Sequence, residues 1–525
     1  MKVGNAVSRL GGALRRLGPL GFLSVLVRTT VKLGPFGVLR LGSSGKPFQA
    51  AATAPAAPRT PAWPPTLDEQ GLVPAPAWDR WLKARLLGAP AEAPTAAIRL
   101  VDPADPDGLA GLAPDTLCVF LRPGDRPRPE LAGALAAVIA DPAVQAVSFD
   151  LWRRTEDAVQ PLLLPGANPV LLRARDYLHG RVALRAALAH GAGDPRERLL
   201  RWLEGQTVEG ARAGWRHLPL PLVEAAVSDA EARAPLDLAG RAGLVAEGEP
   251  VSAVICTRDK GHLTRQLVRQ LLRLPPTTLA EVLIVSNNTS NPYALRTLHD
   301  LQEDSRVRVI RRDEPFNFSR LNNAAAAMTR GRGPLLFLND DISPVSEHWL
   351  DILRARLAEP GTGAVGPLLL YPREQVQEAG MYLRRLGGAG HSLRGALLPQ
   401  GDPLGLTAAE REVSALTGAA LLVDRDAFWA AGGFDEDLAI ALQDVDLCLK
   451  LNAAGLRNLF EPRAVLLHME STTVGALIEA PVIAEQRWRE WSRFMERWGD
   501  RIEADPFHPA GFDPDDEGLR RLARP

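Results

Sequence analysis

The feature of this sequence that most restricts its fold is the alternation of short apolar runs with helical patterns between residues 251 and 338. The apolar runs predict strands at residues 251–256, 281–286, 306–311 and 335–338. Helical patterns lie between them at residues 262–274 and 319–329, where Ser319 is placed to cap the second helix. Strands that alternate with helices in this way predict an α/β fold with a parallel sheet and right-handed crossovers.

Polar side chains follow three of these predicted strands at the point where each strand ends. They are Thr257, Arg258 and Asp259, then Ser286 and Asn287, and finally Asn339, Asp340 and Asp341. In a parallel sheet these positions share one edge, which is where α/β proteins bind their ligands. Clustered carboxylate and amide oxygens suit Mg²⁺ or Mn²⁺, and the same edge can hold a base and a ribose. Asn and Asp are also common turn formers, so the last triplet alone leaves both interpretations open.

A second group of candidate residues lies downstream. Asp444 and Asp446 open a predicted helix and point in different directions, so one can face the crevice while the other caps the helix or pairs with Lys450. We assign the crevice to Asp444, and to Asp446 the simpler role of charge at a helix start. His468 follows a short apolar strand and is either structural or the completion of a metal site begun by Asp341.

Residues 249 to about 510 resemble family 2 glycosyltransferases with the GT-A fold, of the rhamnosyltransferase-like kind found in bacterial surface-polysaccharide clusters. The stretches that carry the resemblance include VSAVICTRDKGHL, EVLIVSNNTSNP, RVRVIRRDEPFNFSRLNNAAAAMTRG, PLLFLNDDI, GGFDEDLAIALQDVDLCLKLNAAG and LLHMES. The resemblance implies an α/β fold with a Rossmann-like mixed sheet. It also implies a metal-dependent inverting transferase that moves a sugar from a nucleotide-diphosphate donor to a growing cell-surface polysaccharide or glycolipid.

The resemblance assigns roles to particular positions. Asp444 matches the general base, and Asp341 matches the metal ligand, with Asn339 and His468 completing a site for Mn²⁺ or Mg²⁺. The implied nucleotide-sugar contacts are Thr257, Arg258, Asp259, Ser286, Asn287, Asn322, Asn339 and Asp340. Ser286 departs from the pattern, because an aspartate usually contacts the nucleotide there. This departure keeps open the alternative of a catalytically lapsed scaffold that binds glycan or nucleotide in a polysaccharide assembly complex.

The N-terminal half carries a weaker form of the same resemblance. Residues 115–152 resemble the middle of a first, tandem glycosyltransferase domain, with the turn from Arg122 to Asp125 where its metal motif should be. The strand and loop that would bind the nucleotide base are missing from the sequence. We therefore predict a degenerate glycosyltransferase-like domain at residues 67–247 and a catalytic GT-A domain with C-terminal helices at residues 248–525.

The first 67 residues contain nine basic and no acidic side chains. Residues 1–46 combine these charges with apolar clusters, which predicts either an amphipathic segment on the inner face of the plasma membrane or a helical hairpin packed on the protein itself. The Ala/Pro-rich stretch that follows, up to residue 66, predicts a linker. The basic charge is not on the folded body, which argues against nucleic acid as a partner. Three widely separated cysteines indicate a cytoplasmic protein.

Overall fold

The computed structural model describes residues 64–68, 71–89, 98–103, 109–190, 193–227, 248–398, 402, 404–469, 481–502 and 505–525. The chain divides into two compact units, one made of residues 1–60 and 471–492 and the other of residues 61–470 and 493–525. The predicted basic segment, residues 1–46, and most of the predicted linker lie outside the described residues. None of the helices that are described has the length and apolar character needed to cross a membrane.

The N-terminal half of the second unit is a mixed sheet with helices between its strands. Its elements are β1 (Val73–Pro74), α1 (Ala75–Arg85), β2 (Ile98–Val101), β3 (Leu117–Phe120), β4 (Arg126–Pro127), α2 (Glu130–Ile139), β5 (Ala146–Arg154), β6 (Ala158–Leu162), α3 (Pro169–Ala174), β7 (Val182–Arg185), α4 (Ala186–Ala189), α5 (Pro195–Glu204), α6 (Val208–Gly214) and β8 (Trp215–Glu224). The strand order is β1-β6-β5-β7-β3-β2, with β8 beside β5 and β4 beside β8. Strands β3 and β5 lie almost wholly within residues 115–152, the stretch that resembles the middle of a first glycosyltransferase domain.

The C-terminal half carries the strands and helices that the sequence pattern predicts. Its elements are β9 (Val251–Thr257), α7 (Gly261–Leu271), β10 (Leu279–Asn287), α8 (Pro292–Leu301), β11 (Val307–Arg312), α9 (Phe318–Met328), β12 (Leu335–Asn339), β13 (Ile342–Pro344), α10 (Trp349–Leu357), β14 (Thr362–Leu370), β15 (Val376–Glu378), β16 (Met381–Arg384), β17 (Gly388–His391), β18 (Arg411–Val413), β19 (Ala420–Val423), α11 (Arg425–Ala430), α12 (Gln443–Ala453), β20 (Arg457–His468) and α13 (Pro481–Ile502). The four strands predicted from the apolar runs are β9, β10, β11 and β12.

These four strands are parallel, in the order β11-β10-β9-β12. The order then continues through β19, β14, β20 and β13. Since β19 runs antiparallel to both β12 and β14, the sheet is mixed, and the predicted α/β fold with a mixed sheet is confirmed. Strands β16 and β17 form a separate antiparallel hairpin.

One predicted helix cap is wrong. Helix α9 is capped by Asn317, whose backbone is extended and whose side chain accepts a hydrogen bond from the amide of Arg320. Ser319 lies inside the helix, and its hydroxyl donates a 2.6 Å hydrogen bond to the carbonyl of Leu438. The serine therefore links α9 to the loop before α12, and the residue two positions earlier supplies the cap.

The two sheets repeat one pairing pattern. In the N-terminal sheet, β2-β3-β7-β5-β8-β4 are paired parallel, antiparallel, antiparallel, parallel and antiparallel in turn. In the C-terminal sheet, β9-β12-β19-β14-β20-β13 follow the same sequence of senses. An additional antiparallel strand lies against β5 as β6, and against β14 as β15. The described N-terminal sheet ends at β2 and so has no counterpart of β10 and β11.

The two halves share one continuous hydrophobic core. Asn168 joins them by donating its side-chain amide to the carbonyl of Glu412 at 2.9 Å, and Arg212 forms an ion pair with the Glu412 carboxylate. The end of the chain returns to the N-terminal half, where the Trp81 ring nitrogen donates to the carbonyl of Ala523 at 2.8 Å. Residues 505–525 therefore contact both halves.

Of the first unit, the structure describes the start of α13. Trp488 and Trp491 stack there, with ring centroids 4.9 Å apart. Arg489 forms a 2.6 Å ion pair with Glu485 one turn earlier. Both contacts have the spacing of neighbours on a helix surface.

Candidate active site

The polar residues that follow β12 meet the end of β9. The two strands pair in parallel with Asn339 opposite Cys256, which places Thr257 beside Asp340. The Thr257 hydroxyl donates a 2.7 Å hydrogen bond to Oδ2 of Asp340, and both side chains are buried. The ends of the first and fourth parallel strands therefore share one polar site, as the sequence predicts.

A lysine that the sequence analysis missed lies at the same place. Nζ of Lys260 is 3.9 Å from Oδ1 of Asp340 and 3.9 Å from Oδ2 of Asp341. Burial raises the pKa of Asp340 to about 6, while the hydrogen bond from Thr257 and the charge of Lys260 act to lower it. Lys260 directly follows the polar residues after β9, and that position was the signal that could have identified it.

Asp341 contacts His468, which lies more than a hundred residues further along the chain. Strand β13 pairs antiparallel with β20, with Ile342 opposite His468, so the residue before β13 reaches the histidine. Oδ1 of Asp341 is 3.2 Å from Nε2 of His468, and the side-chain amide of Asn339 is 3.3 Å from the same nitrogen. The three predicted metal ligands therefore lie together.

The geometry of Asp341 and His468 fits a divalent cation. Octahedral Mg²⁺ binds its ligands at about 2.1 Å, so neighbouring ligand atoms are about 3 Å apart. The 3.2 Å between Oδ1 of Asp341 and Nε2 of His468 matches that spacing. The Asn339 atom 3.3 Å from Nε2 is the amide nitrogen, and only the carbonyl oxygen of that side chain can bind a cation. Gln377 also contacts the histidine, with Oε1 2.7 Å from Nδ1. That contact places the ring proton on Nδ1 and leaves Nε2 directed at Asp341, which is the orientation found in histidines that ligate metals.

The protein supplies few ligands at this position. Across the described ranges, no group of three or more His, Cys, Asp or Glu side chains is arranged to hold a metal. A cation bound by Asp341 and His468 would therefore take its further ligands from Asn339 and from oxygen atoms of a substrate. Incomplete protein coordination of this kind is typical of Mg²⁺ sites that bind substrate phosphates.

The predicted nucleotide contacts on β10 lie next to this site. Ser286 is buried and pairs with Thr257 across the parallel strands. The Asn287 side chain donates 2.9 Å hydrogen bonds to the carbonyls of Arg312 and Glu314. Its Oδ1 is buried and has no hydrogen-bond partner among the described residues, so this amide retains an acceptor that the fold does not satisfy.

Three other predicted nucleotide contacts have different surroundings. Oδ1 of Asp259 accepts 2.7 Å hydrogen bonds from the backbone amides of Ser290 and Asn291, and these bonds lower the pKa of the carboxyl. Asn322 donates to the carbonyl of Phe318 at 2.8 Å within α9, and Arg258 is exposed. The Asp259 carboxylate therefore joins the loop after β9 to the loop after β10.

Asp444 lies in the first turn of α12. Its Oδ2 accepts a 2.7 Å hydrogen bond from the amide of Gly418, and its Oδ1 accepts one of 2.9 Å from the amide of Val445. The next residue after Gly418 accepts a 2.9 Å hydrogen bond from the backbone amide of Asn339. One short segment, residues 418–419, therefore joins Asp444 to the start of the Asn339–Asp341 triplet.

The charges of Asp444 and Asp446 are balanced differently. Asp446 is fully buried and pairs with Lys450 at 2.8 Å and with Arg497 at 2.6 Å, as the simpler interpretation predicts. Asp444 is half-buried and forms no ion pair within the described residues. Burial raises the pKa of Asp444, while the amides of Gly418 and Val445 and the charge of His391 lower it. Such a carboxylate is suited to accept a proton from a ligand.

The equivalent edge of the N-terminal sheet is closed by an arginine. Asp125 directly precedes β4 as Asp341 directly precedes β13, so the repeated pairing pattern makes the two positions equivalent. Nη2 and Nε of Arg181 donate to its two oxygens at 2.7 and 2.9 Å, and the two side chains are fully buried. The amides of Ala226 and Arg122 each donate to it at 2.8 Å. A guanidinium group thus satisfies the carboxylate where the C-terminal sheet has Asp341.

Residues 252–430 match the model of the family "Glycosyl transferase family 2". The match covers β9, β12, the Asn339–Asp341 triplet and the Asp444-binding residue Gly418. The matched residues lie in the mixed sheet described above, which identifies this part of the chain as a glycosyltransferase family 2 domain.

The chain is similar to several bacterial proteins. It is 37% identical over 278 residues to the uncharacterized protein y4gI of Sinorhizobium fredii, a match that covers 52% of this chain and 30% of that protein. It is 35% identical over 299 residues to the O-antigen biosynthesis protein RfbC of Myxococcus xanthus, covering 56% of this chain and 22% of that protein. These matches span less than a third of either relative.

A shorter match is to the N-acetylglucosaminyl-diphospho-decaprenol L-rhamnosyltransferase of Mycobacterium tuberculosis. It is 34% identical over 131 residues and covers 24% of this chain and 43% of that enzyme.

Among solved structures, one of GalNAc-T7 with UDP, GalNAc and Mn²⁺ is similar at 18% identity and a TM-score of 0.39, covering 49% of each chain. Over residues 252–430 the predicted resemblance to glycosyltransferase family 2 is confirmed, and relatives of the chain are named for O-antigen biosynthesis and rhamnosyl transfer.

Proposed function

We propose that this protein is an inverting glycosyltransferase that moves a sugar from a nucleotide-diphosphate donor to a growing bacterial surface polysaccharide or glycolipid. The names of two relatives, an O-antigen biosynthesis protein and a rhamnosyltransferase that acts on a diphospho-lipid, support an acceptor of this class. One observation carries the proposal: residues 418–419 bind Asp444 on one side and the residue that opens the metal triplet on the other. A base and a leaving-group site that are joined through two adjacent residues can act on one substrate.

At the donor end, Asp341, His468 and Asn339 would hold Mn²⁺ or Mg²⁺. A cation held by these residues would offset the negative charge that develops on the departing diphosphate. Lys260, 3.9 Å from Asp341, adds a fixed positive charge on the same side. The base and ribose would be held by the remaining predicted contacts, which are Thr257, Arg258, Asp259, Ser286, Asn287, Asn322 and Asp340.

At the acceptor end, Asp444 would act as the general base. It takes the proton of the acceptor hydroxyl while that oxygen forms a bond to the anomeric carbon and the bond from this carbon to the diphosphate oxygen breaks. Attack from the face opposite the diphosphate inverts the anomeric configuration. Each oxygen of Asp444 accepts one backbone hydrogen bond, which fixes the carboxylate and leaves lone pairs for the hydroxyl.

Asp444→Asn tests this assignment. Loss of the base should lower sugar transfer by about 100- to 10,000-fold, because general-base catalysis typically contributes that much. Donor binding, measured by calorimetry with a panel of UDP-, GDP- and dTDP-sugars in Mn²⁺, should survive. The matched control is Asp313→Asn, which changes a carboxylate paired with Arg311 at the surface. Undiminished turnover by the Asp444 variant contradicts the role of this residue.

A catalytically lapsed scaffold is the second candidate, favoured by Ser286 in place of an aspartate at the nucleotide edge. A scaffold of this kind binds a donor and releases no product. Mass-spectrometric screening of the same donors with the purified protein separates the two functions, since transfer or hydrolysis of any donor excludes a pure scaffold.

For residues 67–247 we propose a degenerate glycosyltransferase-like domain without chemistry of its own. The repeated pairing pattern supports a common architecture with the C-terminal half, and Arg181 satisfies the carboxylate that a metal would need. The bonds from Asn168 and Arg212 to Glu412 support a role in packing against the catalytic domain.

We propose a cytoplasmic location with peripheral contact to the inner face of the plasma membrane through residues 1–46. The basic, apolar composition of that segment supports this. Sedimentation with vesicles is the test. Binding should be stronger with anionic than with zwitterionic lipid, should weaken as salt is raised, and should be lost when residues 1–46 are removed.

A further inference from the structure

A buried carboxylate and a histidine form a pair that none of the roles above uses. Glu378, at the end of β15, is 2% exposed, and its Oε2 is hydrogen-bonded to Nδ1 of His391, at the end of β17. Oε1 of Glu378 is buried without a hydrogen-bond partner among the described residues. A half-satisfied buried carboxylate destabilises a fold, so its presence calls for a functional reason.

The hairpin that carries His391 packs against the residues around Asp444. Gly388 of β17 approaches Leu442 so closely that a Cβ atom on the glycine would lie 2.8 Å from Cδ2 of the leucine. Leu442 precedes Asp444 by two positions. From the other side, Met381, the register partner of His391, exchanges backbone hydrogen bonds of 2.9 and 3.2 Å with Ala415, just before Gly418. The hairpin therefore contacts the chain on two sides of Asp444, next to Leu442 and near Gly418.

The electrostatics agree with this placement. Burial raises the pKa of Asp444, and the charge of His391 is among the effects that lower it. Burial lowers the pKa of His391, but Glu378 outweighs it and the net pKa is raised. Arg394, which lowers the pKa of His391, and Glu517, which raises it, also act on this histidine.

The remaining edge of the His391 ring is open. Its side chain is 26% exposed, and Nε2 has no hydrogen-bond partner in the described part of the chain. Because Glu378 holds Nδ1, the ring presents Nε2 in a fixed direction.

The chain terminus holds the hairpin in place. The carboxylate of Glu517 accepts a 3.3 Å hydrogen bond from the amide of His391, and Asp505 accepts one of 2.6 Å from the amide of Leu383. The rings of Tyr382 and His508 stack with centroids 4.2 Å apart. The histidine is therefore presented by a supported hairpin, which favours precise binding.

We propose that His391, anchored by Glu378, is a positioning residue of the acceptor subsite. As an imidazolium with Nδ1 bonded to Glu378, it donates from Nε2 to a hydroxyl of the acceptor sugar and directs the attacking hydroxyl toward Asp444. This inference rests on the proposed transfer reaction. The ligand class is a carbohydrate with neighbouring hydroxyl groups. The charge on His391 also favours the ionised form of Asp444, which is the form that accepts a proton.

The test compares His391→Ala and His391→Gln with the control Leu386→Ser, which changes an exposed residue in the turn of the same hairpin. The acceptor is an N-acetylglucosaminyl-diphospho-lipid, and the donors are nucleotide-diphospho-sugars, including rhamnosyl donors. We expect His391→Ala to lower kcat/KM for the acceptor about 10- to 100-fold, the effect of losing a hydrogen bond from a charged donor. We expect this loss to appear as a higher acceptor KM. The variant His391→Gln keeps an N–H donor, so its kcat/KM for the acceptor should lie between that of His391→Ala and that of the wild type.

Donor KM and the slow hydrolysis of the donor by water should be unchanged in His391→Ala, since neither needs the acceptor. An unchanged acceptor KM, or a parallel fall in donor hydrolysis and donor binding, overturns the inference, because the residue would then be dispensable or merely structural. Asp444→Asn is assayed beside it. Full transfer by that variant contradicts the proposed reaction itself, whereas its loss together with an unaffected His391→Ala contradicts only the role of His391.

Discussion

Replacing Arg181 by methionine tests whether the N-terminal half has exchanged a metal site for a structural ion pair. Asp125 accepts two hydrogen bonds from Arg181 and two from backbone amides, and neither side chain of the pair is exposed to solvent. Methionine leaves the carboxylate buried with the amides alone. Removing one partner of a buried pair costs about 3–5 kcal/mol, because the remaining charge is uncompensated. A loss of that size is a large fraction of the stability of a typical domain.

Urea unfolding followed by tryptophan fluorescence measures this loss. The control is Arg154→Met, which breaks a solvent-exposed 2.8 Å pair with Asp79 and should cost less than about 1 kcal/mol. The double variant Asp125→Asn/Arg181→Met should regain much of the stability, because it removes the buried charge as well.

Sugar transfer by the folded Arg181→Met protein should equal that of the wild type, because the proposed catalytic groups lie in the other sheet. Two results would refute the reasoning. A loss of stability as small as that of the Arg154 control would mean that the Asp125 carboxylate does not need the charge of Arg181 to remain buried. A fall in transfer by protein that remains folded would mean that the Asp125 edge takes part in the reaction.

Three further predictions follow from the geometry. Asp341→Asn should abolish the Mn²⁺-dependent part of donor binding measured by calorimetry, whereas Asp125→Asn at the equivalent position of the other sheet should leave it intact. Lys260→Met should raise the donor KM more than the acceptor KM in steady-state assays, because the lysine is 3.9 Å from both acidic groups of the donor end. Burial lowers the pKa of His508 to about 4, so the unfolded chain binds the additional proton first and stability falls as the pH drops from about 6.5 to 4, by up to about 3 kcal/mol. Urea unfolding of the wild type and of His508→Gln at pH 6.5 and pH 4 measures this effect. The free energy of unfolding should depend less on pH in the variant, and an equal pH dependence in both proteins would contradict the prediction.

The sequence by itself determined the parallel core of the catalytic sheet. Apolar runs and helical spacing are local patterns, and they predicted β9 to β12 with shifts only at their ends. The positions of Asp341 and Asp444 were predictable for the same reason, since one directly follows a strand and the other opens a helix. The Asn317 cap was missed because serine and asparagine are both good caps, and only the backbone conformation distinguished them.

Only the tertiary structure decided which distant residues meet. Strand β19 is inserted antiparallel beside β12, and β13 pairs with β20. Strand β15 is placed so that Gln377 contacts His468 and Glu378 contacts His391. The pairing of Asp125 with Arg181 was likewise invisible in the sequence, which predicted a related N-terminal domain but not its strand order. Strand order and register result from burying whole sheet faces against helices, and no local run of residues specifies which strand becomes the neighbour of another.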